Sequence, residues 1–146
     1  TMFIPAGDGH AVIKESDLHL NEAGFVRIND YCQAEGFPEV FAIGDVAEIT
    51  GPDWRAKQGH IAELMARTAA FNIAAIERGS VERQGYRGHL NILCVMDSGD
   101  GANFVYRDAK REFIIPLPII GHWLKKAWGI YYSLSKRKKI FRLPGL

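Results

Sequence analysis

The run Val40-Phe41-Ala42-Ile43, stopped at Gly44-Asp45, constrains the fold more than any other segment. An unbroken apolar run of this length, bounded by turn residues, fits a strand buried on both faces. A strand ending in Gly-Asp sets a carboxylate at its carboxyl end, where open α/β sheets receive ligands. Gly44 has no side chain, so a ligand can come close to the backbone. Asp45 can then accept hydrogen bonds from ligand hydroxyls. A strand followed by an Asp turn or a helix cap fits the same residues equally well.

The flanking segments complete an α/β pattern. Met2-Phe3-Ile4 is a short apolar run stopped by Pro5. Gly24 to Ile28 alternates like a strand and empties into the turn residues Asn29-Asp30. Gly36-Phe37-Pro38-Glu39 reads as a second turn and Thr50 to Asp53 as a loop. Ile61, Leu64, Met65, Thr68 and Ala69 recur at helical spacing, which predicts a helix over 57–78 closed by Gly79. Its many alanines allow close approach of a neighbour. His89 to Met96 then reads as a strand with Leu90, Ile92, Cys94 and Met96 on one face. Asp97 to Gly101 is a turn, Asn103 to Tyr106 a return strand, and Glu112 to Ile115 a candidate third strand. Pro116 and Pro118 punctuate. A helix follows from Pro118 to about Lys136, with Ile120, Trp123, Leu124, Ala127, Tyr131 and Leu134 as its apolar stripe. The fold class is therefore α/β: short strands plus a long helix, then a β-hairpin and an amphipathic C-terminal helix. The division falls between residues 1–80 and 81–146.

Charge separates the two ends of the chain. Residues 1–106 hold eight Lys and Arg against fifteen Asp and Glu, and residues 107–146 hold ten against two. From Gly121 to Leu146 there are seven cations and no acid. That tail asks for an anionic partner or surface. Trp123 and Trp128, with Lys136, Arg137, Lys138 and Lys139, suit a membrane interface. Lys125 and Lys126 interrupt the helix, so it is expected to lie on a bilayer and not cross it. A helix packed on its own core with a solvated basic end is the plainer reading. Nothing upstream resembles a nucleic-acid motif, so nucleic acid is not an expected partner. Two cysteines, Cys32 and Cys94, are too few for a disulfide framework, and no metal-ligand set is apparent. The opening at Thr1 reads as a strand end running into a loop, and the chain is expected to be a C-terminal piece.

Arg55-Ala56-Lys57-Gln58-Gly59-His60 opens the first long helix. A helix N-terminus favours negative charge, so a lysine there conflicts mildly with the dipole and marks a candidate site. His60 reads as a half-buried polar residue.

Gly-Phe-Val-Arg-Ile-Asn leading to Val-Phe-Ala-Ile-Gly-Asp-Val-Ala resembles the second flavin-binding segment of flavoproteins with two dinucleotide domains. The resemblance implies that Asp45, beside Gly44, binds the ribityl chain of FAD. It implies that Lys57 and the helix start face the electron-rich side of reduced flavin and raise its reduction potential. No GxGxxG string occurs in these residues, so the chain alone is not expected to hold FAD. Cys94, Asp97, Gly99 and Phe104 further resemble the sulfide:quinone oxidoreductases. In that family such a cysteine pairs with one from the N-terminal half, and sulfide, FAD and a quinone are the reactants. The resemblance makes Cys94 catalytic, assigns Leu93, Tyr131 and Tyr132 to a quinone pocket, and makes the protein a monotopic, membrane-associated one, with self-association into a homo-oligomer open. From its residues alone, Cys94 reads as a small hydrophobe on a strand, and Cys32 as an incidental cysteine in a surface-like turn. The alternatives are a type II NADH:quinone dehydrogenase, in which Cys94 has no role, and a non-catalytic membrane-docking module.

Overall fold

The computed structural model describes residues 7–97, 99 and 101–137. The Met2-Phe3-Ile4 run, Lys138 and Lys139 lie outside them. Two compact units divide the chain, one ending at Asn91 and one beginning at Ile92. The break comes later than 80/81 because Tyr86 and Leu90 are core residues of the first unit.

The first unit contains α1 (Ala11–Lys14), β1 (Gln33–Ala34), β2 (Phe37–Phe41), a 3-10 turn (Gly44–Val46) and α2 (Gly59–Glu77). The alternation over 24–28 is real, since Val26 and Ile28 are buried and Arg27 is exposed. Yet these residues form isolated bridges, to Leu20, Ala47 and Ala34, and no strand. Their backbone partners are scattered. Asn21 Oδ1 takes the N–H of Phe25 at 2.9 Å, His19 C=O takes that of Arg27, and Val46 C=O takes that of Val26.

The turn expected over 36–39 is displaced to Glu35–Gly36, and Phe37-Pro38-Glu39 belong to β2. Among the described residues β2 pairs only with β1, in an antiparallel ribbon with a bulge at Gln33/Ala34. The run 40–43 is therefore not buried on both faces, and Ile43 is exposed. Cys32 also departs from its reading. It is fully buried at φ 66° in the turn after Asn29, and its Sγ lies 3.7 Å from Met65 C=O.

α2 closes the core with Ile61, Met65, Thr68, Ala69, Asn72 and Ala75, all but Asn72 being periodic positions or alanines of the sequence. Thr68 and Asn72 are its polar members; the Thr68 hydroxyl has no hydrogen-bond partner among the described residues, whereas Asn72 is satisfied. Its Nδ2 donates to the carbonyls of Tyr31 (3.1 Å) and Gln84 (2.9 Å), and its Oδ1 accepts the Gln84 N–H at 2.8 Å. Asn72→Ala strands these buried groups, each costly to leave unpaired. It is expected to lower stability by about 2 kcal/mol, read by urea unfolding of the intact protein.

The second unit is a three-stranded antiparallel sheet in the order β3 (Ile92–Asp97), β4 (Gly101–Arg107), β5 (Glu112–Pro118), followed by α3 (Ile120–Lys136). The expected strand from His89 begins only at Ile92, because Arg87–His89 is a 3-10 turn and Leu90 turns into the first core. The hairpin stands as expected. The third strand runs through Pro116 and Pro118, which do not break it. β5 is an edge strand, where a missing N–H costs the ladder little.

Directly opposed residues of antiparallel strands share a face. The register Leu93–Tyr106–Phe113 and Asp97–Ala102–Leu117 therefore defines one face, and Cys94–Val105–Ile114 the other. α3 lies on the first. Gly121 at its start is buried, and a Cβ there would overlap Ala102 and crowd Leu117.

Candidate flavin, thiol and membrane sites

In the first unit the Gly-Asp pair forms the 3-10 turn. Gly44 is buried at φ 66°, and a Cβ there would stand 3.3 Å from Ala62 Cβ. Glycine is thus favoured by the backbone and by the close approach of α2 on the side where a Cβ would stand. Asp45 is exposed, and its carboxylate carries no hydrogen bond among the described residues. A free acceptor on a short, backbone-fixed turn has the chemistry that polyol hydroxyls need.

Lys57 precedes α2, whose first residue is Gly59. Its Nζ donates to the backbone carbonyl of Asp45 and lies 3.1 Å from the centre of the Phe25 ring. Burial pulls the ammonium below its ordinary pKa, with the Asp45 charge opposing. Lys57 is therefore tied to the turn that carries the acceptor. Beside it is a cleft of 330 Å³, lined among others by Asn21, Phe25, Glu48, Asp53 and Arg55. His60 Nε2 is 2.9 Å from Asn91 Oδ1, a structural pairing at the first turn of α2.

The second unit holds the thiol. Cys94 is half-buried in mid β3, on the face away from α3, while Leu93 points to the face that α3 covers, with Phe104, Tyr106 and Phe113. Tyr106 and Phe113 stack at 5.1 Å. Cys32 is a different kind of thiol. Burial, then Asp30, pushes it up to about 12, so it holds almost no thiolate near neutrality and is inert.

Tyr131 and Tyr132 diverge. Tyr131 is half-buried beside Trp128 at 5.5 Å, and Tyr132 is exposed with the Lys136 ammonium 5.0 Å from its ring. The α3 stripe is not packed on its own core, since Trp123 is 64% and Trp128 42% exposed. Lys136 and Arg137 continue the helix end. No helix among the described residues is long and apolar enough to cross a membrane.

One pair was not legible beforehand. Asp97 Oδ2 meets His122 Nδ1 at 3.1 Å, and Asp97 Oδ1 accepts the Gly99 N–H at 2.9 Å. The Gly99 bond first, then His122, holds the Asp97 carboxyl below its ordinary range. Asp97 is legible in the sequence; its partner, His122, lies on another element, beyond any local spacing.

The chain superposes on the sulfide:quinone oxidoreductase of Aquifex aeolicus with a TM-score of 0.82, covering 94% of this chain and 34% of that one at 24% identity. The fold is that of a sulfide:quinone oxidoreductase-like flavoprotein. In sequence it is 35% identical over 92 residues to human ferroptosis suppressor protein 1, which is 60% of this chain and 22% of that protein. It is 27% identical over 86 residues to the FAD-dependent oxidoreductase FVFD30 of Flammulina velutipes, which is 58% of this chain and 26% of that protein. The chain thus spans about a quarter or less of these curated relatives. No protein-family model matches it.

Proposed function

We propose that the chain is the C-terminal region of a membrane-docked flavoenzyme that oxidises sulfide and passes the electrons through FAD to a quinone. The observation that carries the reading is the alternation at positions 93 and 94 on a sheet of this fold. Cys94 lies on one face, and Leu93 with its aromatic neighbours lies on the other. Thiolates add readily to quinones, so an enzyme using both needs them on opposite sides of a barrier.

FAD, when bound, supplies two-electron acceptance from sulfur and two-electron delivery to quinone. The Asp45 carboxylate accepts from its ribityl hydroxyls. Lys57 holds the Asp45 backbone in place. Cys94, paired with a cysteine outside this chain, is the sulfur that sulfide attacks through the disulfide. Trp123, Trp128, Lys136, Arg137, Lys138 and Lys139 dock the enzyme on an anionic leaflet. Leu93 and Tyr131 line the approach of the quinone; exposed Tyr132 contributes from the helix surface.

A second reading rests on Cys94 itself, which is half-buried opposite Val105 in mid β3 and suits a small packing residue there. In it the donor is NADH and Cys94 is a packing residue. Steady-state reduction of a short-chain quinone by the intact protein tests the two. Sulfide-driven turnover supports the first reading, and NADH-driven turnover with sulfide inert supports the second.

Lys57 has its own test. Because its ammonium is spent on the Asp45 carbonyl, Lys57→Met is expected to weaken FAD binding about tenfold, the worth of one charge-assisted hydrogen bond. The reduction potential of bound flavin should move little. A drop of about 30 mV or more, tenfold for a two-electron couple, would put Lys57 against the flavin itself.

A further inference from the structure

In the unit that begins at Ile92, Ile119 and Ile120 are the most exposed large apolar side chains described, at 73% and 68%. They form the joint between β5 and α3. Ile119 sits at φ 59°, ψ −57°, where a β-branched residue is a genuine outlier. Strained positions of this kind persist only when the surroundings over-determine them.

The surroundings do so on both flanks. Pro118 is still in register with Gly101 on β4. Gly121 is seated against Ala102 and Leu117 with no room for a Cβ. His122 is bonded to Asp97, which is itself fixed by the Gly99 N–H. The joint is clamped to the sheet on either side, and the two isoleucines project from it.

A connection with no further duty would be better served by glycine at 119, which takes this backbone without strain. Isoleucine there is unfavourable for the backbone and for hydration alike, so its side chain has a use. The charge around it names the occupant. No acid follows Glu112, and Lys125 and Lys126 come within the next two turns. Lys126 Nζ lies 5.1 Å from the Trp123 ring, a cation beside an interfacial aromatic.

We propose that Ile119–Ile120 is a lipid-inserting tip, whose side chains enter the acyl boundary of an anionic leaflet while Lys125 and Lys126 meet the phosphates. This rests on the membrane-docking part of the reading above. It adds that docking depends on a clamped, strained tip at the start of α3 as well as on the α3 stripe and the basic end.

Sedimentation of the intact protein with vesicles of phosphatidylcholine and phosphatidylglycerol tests it, with a melting curve for each variant. Ile119→Gly is expected to melt at or above the wild-type temperature, because the strain is relieved. It should bind vesicles about tenfold more weakly, the loss of one partly inserted aliphatic side chain. Ile119→Leu should stay within about threefold of wild type. Ile120→Ser, at an ordinary helical position, should repeat the tenfold loss and carries the comparison if the glycine variant unfolds. Wild-type binding matched by Ile119→Gly and Ile120→Ser would overturn the tip and leave docking intact. Failure of wild type to bind would remove the docking reading and the tip together. Variants that keep vesicle binding but lose self-association would assign the joint to a second copy of the chain and overturn the lipid assignment.

Discussion

Cys94→Ser in the intact protein is expected to retain FAD and lose sulfide-driven quinone reduction by about three orders of magnitude or more. The side chain sits mid-strand, opposite Val105, and is half-buried. Serine is close in volume, so the sheet should survive and the melting temperature should shift little. The chemistry does not survive. A hydroxyl is almost wholly protonated near neutrality, cannot form the disulfide that sulfide attacks, and cannot carry sulfur. Flavin absorbance at full stoichiometry with absent sulfide turnover is the expected pair of readings. Near-normal turnover would return Cys94 to a packing residue. Cys32→Ser serves as the contrast: it should leave turnover intact and cost stability, because Cys32 is buried and its thiol is held protonated.

The second large effect is expected at Asp45. Asp45→Ala removes an exposed, unengaged carboxylate from the 3-10 turn and leaves the turn's backbone bond, Ala47 N–H to Gly44 C=O at 3.1 Å, in place. Hydrogen bonds from ligand hydroxyls to a carboxylate contribute about 1.5–3 kcal/mol each. Losing one or two should weaken FAD binding about a hundredfold or more. The intact variant should therefore leave gel filtration largely colourless, yet fold with wild-type far-ultraviolet dichroism. Stoichiometric flavin after the column would sink the assignment. Gly44→Ala should also lose flavin by a different route. Its φ of 66° and the Ala62 contact both resist a Cβ, so that variant should lose stability as well, which separates the two causes.

The two long helices, α2 and α3, are legible from period and the hairpin from period with its turn residues, whereas the four-residue α1 is not. Ile61, Met65, Thr68 and Ala69 do face the first core, and β3 and β4 do pair. Legibility failed where a local pattern was answered by distant groups. Val26 and Ile28 alternate like a strand, but the backbone around them is claimed by the Asn21 side chain and by single carbonyls of other segments. Pro116 and Pro118 look like stops, and their edge position makes them tolerable. Leu90 has the parity of Cys94, but a 3-10 turn sends it to another core. Cys32 sits among turn residues that point outward in composition only.

The candidate sites divided in the same way. The Gly-Asp turn and the exposed α3 stripe could be read from residue order. The Lys57 bond to the Asp45 carbonyl spans twelve residues, and the Asp97–His122 bond spans twenty-five. Neither has a spacing that sequence alone could score. The strain at Ile119 is likewise invisible in composition, since isoleucine is the residue least expected at that backbone angle.

The most direct test of sulfide oxidation through FAD to quinone is an anaerobic titration of the purified intact protein, followed by the flavin band in the visible. Sulfide should bleach the band with one equivalent per flavin, and a quinone added afterwards should restore it. NADH should leave the band unchanged. Bleaching by NADH with no response to sulfide would contradict the account and leave the NADH-driven reading in its place.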